Sequence, residues 1–425
     1  MTSTAADTRP TENAWQELAT SIGPEALRPA AAADAIAGVM PVQVATPDSE
    51  ESLAAALAWA ADNLAQVVPR GGGTKQMWAN LPQRIDLVLS LARLNRILEH
   101  AWEDMTVTVQ AGCTVESLRK HLALHGQRLA VDALFSSRAT VGGIVACNDS
   151  GPLRLRFGSI RDLIIGATMV LPNGTIARSG GKVVKNVAGY DLPKLLTGSM
   201  GTLGVLAEAT FRVHPLPRAS RTLTFAFTDV GAANRFILDV LASSLVPAAL
   251  QLRYDPSAPP RVDVLLEGIE AGVDAQSASL LKLASAARAE ESSANTWASG
   301  ETLFSPAAAT SAVLKCSVLP SQIHVVGDAL GASFASFRSV TQATGIGLVR
   351  VAEASLAALM ASSAHFASAV REAGGTVTIL DAPLEWKKSV DVFGAPTDSH
   401  PLMFRVKRHF DPHGILNAHR FVGGI

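Results

Sequence analysis

Four glycine clusters hold the residues with the clearest chemical potential. They are PRGGGT (69–74), ATVGGIVACNDSG (139–151), GGKVVKNVAGYD (180–191) and TGSMGTLGVL (197–206). Successive glycines let backbone N–H groups converge on one concavity, where an anion can sit. In the first cluster Arg70 would add charge and Thr74 a hydroxyl donor. Taken singly, each cluster reads as a tight turn. The chain has neither G-x-x-x-x-G-K-[ST] nor G-x-G-x-x-G after its first strand, so the P-loop and Rossmann readings both fail. A ligand shared by all four clusters would have to be larger than one phosphate.

Other polar residues invite plainer readings. Lys182 and Lys185 could attract an anion or simply line a solvated loop. Tyr190 reads as a packed tyrosine rather than a cofactor contact, and Asp191 as a helix cap. His409, His413 and His419 cluster near the end of the chain, but no metal is expected there. The three cysteines, Cys113, Cys147 and Cys316, are far apart and form no C-x-x-C pair. That excludes the usual iron–sulfur and zinc frameworks within these residues and fits a reducing, cytoplasmic setting.

Helices and strands must position the clusters. TPDSEESLAAALAWAADNLA reads as a helix capped by Thr46, with Leu53, Leu57, Ala60, Ala61 and Leu64 on its apolar face. QVVPR is a short strand running into the first glycines, and TVTVQAG alternates as another strand. TVESLRKHLALHG is a helix stopped at Gly126, and LIIGATMVLPNGTIAR is a hairpin around Asn-Gly. A short helix, a glycine turn and a long strand follow over residues 191–215. Beyond Pro217 the rhythm is β-α-β-β-α, an antiparallel sheet backed by helices. The Ala- and Ser-rich stretch 296–380 is expected to add more helices, and no exact repeat is visible.

With 425 residues, 48% hydrophobic and 17% charged, the chain can build more than one core. A net charge of −1 excludes nucleic acid and anionic membranes as expected partners. No apolar run reaches the ~18 residues of a spanning helix. The opening MTSTAADTRPTENAW reads as a loose tail without a secretion signal. The expected organisation is a lead-in over 1–39, a cofactor domain over 40–217, a cap over 218–395 and a closing segment over 396–425.

VVPRGGGTK, VTVQAGCTVESLRKHLALHG, ATVGGIVACNDSG and FGSIRDLIIGATMVLPNGTI, in this order and spacing, resemble the FAD-binding domain of the vanillyl-alcohol oxidase and p-cresol methylhydroxylase superfamily. GGKVVKNVAGYDLPKLLTGSMGTLGVLAEATFRVHPLP narrows the resemblance to the branch of D-lactate dehydrogenases and bacterial glycolate oxidase. PLEWKKSVDVFGAP and HFDPHGILNAHRF bring it to the FAD-binding (E) subunits of three-subunit glycolate oxidases. The resemblance implies an α+β fold, a two-subdomain FAD-binding domain with a smaller antiparallel-sheet and helix cap. Pro69, Arg70, Gly71, Gly72, Gly73 and Thr74 would wrap the pyrophosphate, where an added Cβ would intrude on it. Thr140, Val141, Gly142 and Gly143 would lie on the other side, with Asn148 and Gly151 in the next contact stretch. Gly204 and Val205 would meet the adenine or ribitol end, and Asp132 matches an acidic position, although Ala133 stands where a proline often follows. Lys75, Gln76 and Met77 stand where covalent members carry a histidine in or near this loop, so FAD is expected to be held non-covalently.

The family's catalytic members bind a divalent metal in a histidine- and glutamate-rich cap. Here residues 218–395 hold only His324 and His365, far apart, so no metal is expected and no catalytic residue is assigned. The implied reaction is glycolate to glyoxylate, with electrons leaving for an iron–sulfur subunit alongside a larger flavoprotein subunit. The implied location is cytoplasmic, with peripheral attachment to the inner membrane through the complex left open. A self-sufficient flavin oxidase for another hydroxy acid or alcohol, and a scaffold subunit of the same fold, stay open as alternatives. A reductase built on this domain is disfavoured by KNVAGYDLPKLL.

Overall fold

The computed structural model describes residues 9–181, 190–284, 288–290, 292, 296–305 and 310–425. The lead-in is not loose from Thr11 onward. Thr11 caps the helix Glu12–Ile22, whose Trp15 packs on Trp59 with ring centroids 4.6 Å apart. Trp59 donates its indole N–H to the Ala14 carbonyl at 2.8 Å. The helix beginning near residue 50 spans Glu50–Asp62, and its cap is Ser49 rather than Thr46. Ser49 accepts the Ser52 amide, while the Ser52 hydroxyl accepts the Ser49 amide, both at 3.1 Å. Leu53, Leu57 and Ala60 are buried, but Leu64 is exposed because the chain turns at its positive φ of 51°.

Two small sheets share one core. The first has the order Leu27–Pro29, Gln43–Ala45, Leu87–Ser90, Val67–Arg70, its last three strands parallel. The second is antiparallel, in the order Ile97–Ala101, Thr106–Gln110, Val205–Arg212, Ile164–Val170, Ile176–Gly180. The 164–180 hairpin turns at Asn173-Gly174, where Gly174 has φ +80°.

The cap is an eight-stranded antiparallel sheet with its own hydrophobic core. Residues 219–290 form a β-α-β-β-α-β unit, with strands Ala219–Ala226, Ala249–Asp255, Ala258–Gly268 and Arg288–Glu290. Residues 311–381 repeat that order with strands Ser311–Ser317, Ser336–Gln342, Ile346–Ala352 and Thr376–Asp381. The expected run of helices over 296–380 is therefore replaced by this second unit, of which only Ile323–Ser333 and Leu356–Glu372 are long helices. Each unit has the strand order fourth, first, third, second, and the two units join edge to edge at their second strands. The repeat lies in topology rather than in the letters.

Past the cap the chain returns to the first domain. Ile415 and Leu416 enter its core. The Val67 amide donates to the Ile415 carbonyl at 2.8 Å, and the Asn417 amide to the Val67 carbonyl at 3.0 Å. Lys407, buried, holds this return in place through the Thr202 carbonyl at 2.9 Å, the Leu416 carbonyl at 2.8 Å and Asp411 at 2.6 Å. The cap is tied to the first domain by the bidentate Arg128–Glu267 pair and by Lys387, which donates to the Met77 carbonyl. No helix among the described residues is long and apolar enough to cross a membrane.

Candidate functional site

Three of the four glycine clusters meet around one cleft. Pro69, Arg70, Gly71, Gly72, Gly73 and Thr74 line one wall, Thr140, Gly142 and Gly143 another, and Gly204 and Val205 a third. Val141 does not reach the cleft, because its side chain is fully buried in the domain core. Asp132, Asn148 and Gly151 line a different cavity, between this domain and the cap. Most of the GGKVVKNVAGYD block, including Lys182 and Lys185, lies outside the described residues. Tyr190 is 91% exposed, so it is neither packed nor turned to the cleft. Asp191 caps the helix Leu192–Leu196 by accepting the Lys194 amide at 3.2 Å.

The first loop has glycines for a reason other than room for a ligand. A Cβ on Gly72 would stand 1.7 Å from the Arg138 carbonyl oxygen, and one on Gly71 2.1 Å from Thr140 Oγ1. The first and second loops therefore touch backbone to backbone, and only glycine permits that approach. No hydrogen bond within the described residues uses the amides of Gly71, Gly72, Gly73 or Thr74. These free donors, presented in a row at the cleft, fit a pyrophosphate.

The cations beside the cleft are already engaged. Arg70 donates to Asp34 at 2.8 Å and is not free to act as a separate phosphate clamp. Asp34 also takes both guanidinium nitrogens of Arg28, and those bonds, with the Ala31 amide and Arg70, hold its carboxyl well below the usual range. Lys75, buried, pairs with Asp149 at 3.1 Å and donates to the Leu134 carbonyl at 3.1 Å. Asp149 lines the interdomain cavity and Lys75 the cleft, so the two spaces share this ion pair as a wall.

Two lining residues come from the closing segment and were not singled out by the sequence, although HFDPHGILNAHRF contains them. Asn417 donates to the Met200 carbonyl at 2.7 Å. Arg420, buried, donates to the Gln76 carbonyl, to Gln76 Oε1 at 3.0 Å and to Asn417 Oδ1 at 3.2 Å, and burial pushes its pKa down to about 10. Cys147 also lines the cleft, and burial pushes its thiol up to about 11. The histidines at 409, 413 and 419 are not gathered, and among the described residues no group of three His, Cys, Asp or Glu is placed to hold a metal.

Asp132 lies beneath the interdomain cavity. A Cβ on Gly151, at φ +65°, would be 2.3 Å from the Asp132 carbonyl oxygen. The Asp132 carboxylate accepts the Leu153 amide at 2.9 Å, and burial raises its pKa to about 6.

A family model described as an FAD binding domain matches residues 41–180. Glycolate oxidase subunit GlcD of Bacillus subtilis is 34% identical over 218 residues, 51% of this chain and 46% of that protein. D-2-hydroxyglutarate dehydrogenase of Xanthomonas citri is 33% identical over 215 residues, 51% of this chain and 44% of that protein. The chain thus matches about half the length of these curated relatives. Among solved structures, p-cresol methylhydroxylase with substrate bound superposes with a TM-score of 0.75 at 14% identity, covering 96% of both chains. Alkyldihydroxyacetonephosphate synthase gives 0.74 at 18% identity, covering 97% of this chain and 86% of that one. Glycine loops, free amides, domain match and fold agree: residues 41–180 are an FAD-binding domain with FAD as its cofactor, and the chain has the fold of p-cresol methylhydroxylase.

Proposed function

We propose that this chain is the FAD-binding subunit of a 2-hydroxy-acid dehydrogenase complex, with glycolate as substrate and an iron–sulfur protein as electron acceptor. The cleft is the observation that carries the reading, since its free amides and close-set loops suit a dinucleotide. Similarity to one subunit of glycolate oxidase supports the substrate class and the assembly. Bound FAD supplies the hydride-accepting chemistry. The chain's own residues bind, orient and shield. The amides of Gly71 to Thr74 hold the pyrophosphate. Thr140, Gly142 and Gly143 close on it from the second loop, and Gly204 and Val205 abut the adenine or ribitol end. Asn148, Gly151 and Asp132 act from the interdomain side. Arg420 fixes the loop at Gln76.

Attachment is non-covalent. No histidine among the described residues lines the cleft, and the Cys147 thiol stays protonated at neutral pH. Acid precipitation should leave all flavin in the supernatant, and flavin in the pellet would refute this part. The subunit assignment is tested by co-expression with a larger flavoprotein and a cysteine-rich iron–sulfur chain. The three together should reduce a dye with glycolate, and omitting this chain should abolish that activity. A fully active pair lacking it would overturn the assignment.

A further inference from the structure

The cavity between the two domains is lined by two carboxylates, Asp132 and Asp149, and by two cations, Arg154 and Lys315. Most other buried cations are committed. Lys75 has Asp149, Arg128 has Glu267, Arg253 has Asp263 and Lys407 has Asp411. Lys387 has the Met77 carbonyl, and Arg420 has carbonyls and amide oxygens. Arg154, from the first domain, and Lys315, from the cap strand Ser311–Ser317, both line the cavity. Neither makes a hydrogen bond or an ion pair with a described residue. The carboxylates near them are occupied, Asp132 by the Leu153 amide at 2.9 Å. Asp149 serves Lys75 and the Leu134 amide, and Asp162 accepts the Ser159 amide and hydroxyl at 2.8 Å each. Burial lowers the pKa of both cations and outweighs the opposing pull of Asp149 on each, since neither has a bonded partner among the described residues.

The same cavity holds two orphaned acceptors. Asn148 Oδ1 and Gln342 Oε1 are buried without a hydrogen-bond partner. Apolar walls from Trp78, Leu134, Val340 and Leu348 complete it. Two unpaired cations call for an anion, and unpaired acceptors beside them call for a donor on the same ligand. A small hydroxy-acid anion has both.

We propose that Arg154 and Lys315 clamp the carboxylate of a small hydroxy acid between the domains without a metal, its hydroxyl donating to the amide oxygen of Asn148 or Gln342. The clamp deepens the hydroxy-acid reading above and rests on it. It also gives this chain a substrate subsite of its own that needs no metal, in keeping with the lack of a three-ligand group among the described residues. One cation comes from each domain, so the anion also bridges the joint between them.

Equilibrium dialysis of radiolabelled glycolate, under anaerobic conditions, against the purified FAD-loaded full chain tests this. Glycolate should bind, acetate should compete at least ~10-fold less well for want of the hydroxyl, and neutral methyl glycolate should not compete. Arg154→Met and Lys315→Met should each weaken glycolate at least ~10-fold with the flavin-to-protein ratio unchanged, and Lys315→Arg should restore most of the affinity. Wild-type affinity in both Met variants, or no binding by fully flavinated wild type, would overturn the proposal. Protein that lacks flavin yet binds glycolate through Lys315 would sink the FAD assignment and leave the clamp standing.

Discussion

The cofactor cleft and the interdomain cavity are neighbours separated by the Lys75–Asp149 pair, yet they are built on opposite principles. In the cleft the charges are spent internally. Arg70 is locked to Asp34 and Lys75 to Asp149, and what faces the space is backbone amide. In the cavity the backbone is largely quiet, and side-chain charge is left over at Arg154 and Lys315. Backbone donors are fixed by the fold and suit a group held permanently. Side-chain cations can adjust and suit a ligand that comes and goes. The difference suggests a resident cofactor in one space and an exchanging anion in the other.

The comparison breaks first at Gly72. Gly72→Val would drive a side chain into the Arg138 carbonyl, so the two loops must part. Purified Gly72→Val protein should carry no FAD by its absorption spectrum, while Lys315→Met protein should remain fully yellow. Stoichiometric FAD in Gly72→Val would show that loop contact is dispensable. A smaller effect is expected at the closing segment. Asp411→Ala leaves the buried Lys407 ammonium without its carboxylate and should cost about 3 kcal/mol in urea unfolding. A change under ~1 kcal/mol would mean that the two carbonyls alone satisfy Lys407.

The smallest effect is a pH slope. Asp132 has its folded pKa raised to about 6, so the folded state binds more protons than the unfolded state between roughly pH 4 and 6. Its contribution favours folding below that window and is lost as pH rises through it, by at most about 3 kcal/mol. Asp132→Asn keeps an acceptor for the Leu153 amide but cannot titrate, so the wild-type advantage at pH 4 over pH 7 should shrink in the variant. Identical slopes for the two proteins would show that Asp132 is not the group responsible.

The cleft was legible because its parts are contiguous. Each glycine cluster sits on a few adjacent residues at a strand end, and the alternation of TVTVQ or the Asn-Gly of the 164–180 hairpin declares the flanking element. The cavity was legible only in part. Asp132, Asn148 and Gly151 were singled out, but its other walls come from 78, 251, 297–315, 340–348 and 380, and no local pattern marks Lys315 in SAVLKCS as different from a solvated lysine. The second cap unit was misread for a related reason. Alanine over 296–380 favours helix by propensity, while SFRSVTQ and IGLVRVA are strands because pairing and burial in the sheet outweigh it. Thr46 lost its capping role to Ser49, where a reciprocal pair with Ser52 was available three residues on. The glycines of the first loop were read as leaving room for a pyrophosphate, and at Gly71 and Gly72 the structure adds a second neighbour, the loop at 138–140. The loop they accommodate lies about 65 residues downstream, beyond any local sequence window.

The closing segment sets a timetable. Strand Val67–Arg70 is made early, but its partner at Ile415–Asn417 emerges only after the whole cap has been synthesised. Until then the first domain's core lacks Ile415 and Leu416, and the loop at Gln76 lacks the guanidinium that holds it. A nascent chain stalled at residue 400 would carry all the glycine loops and a finished cap, yet have no closed seat for the dinucleotide. The seat is closed only by residues that follow the cap in the chain, Ile415, Leu416 and Arg420.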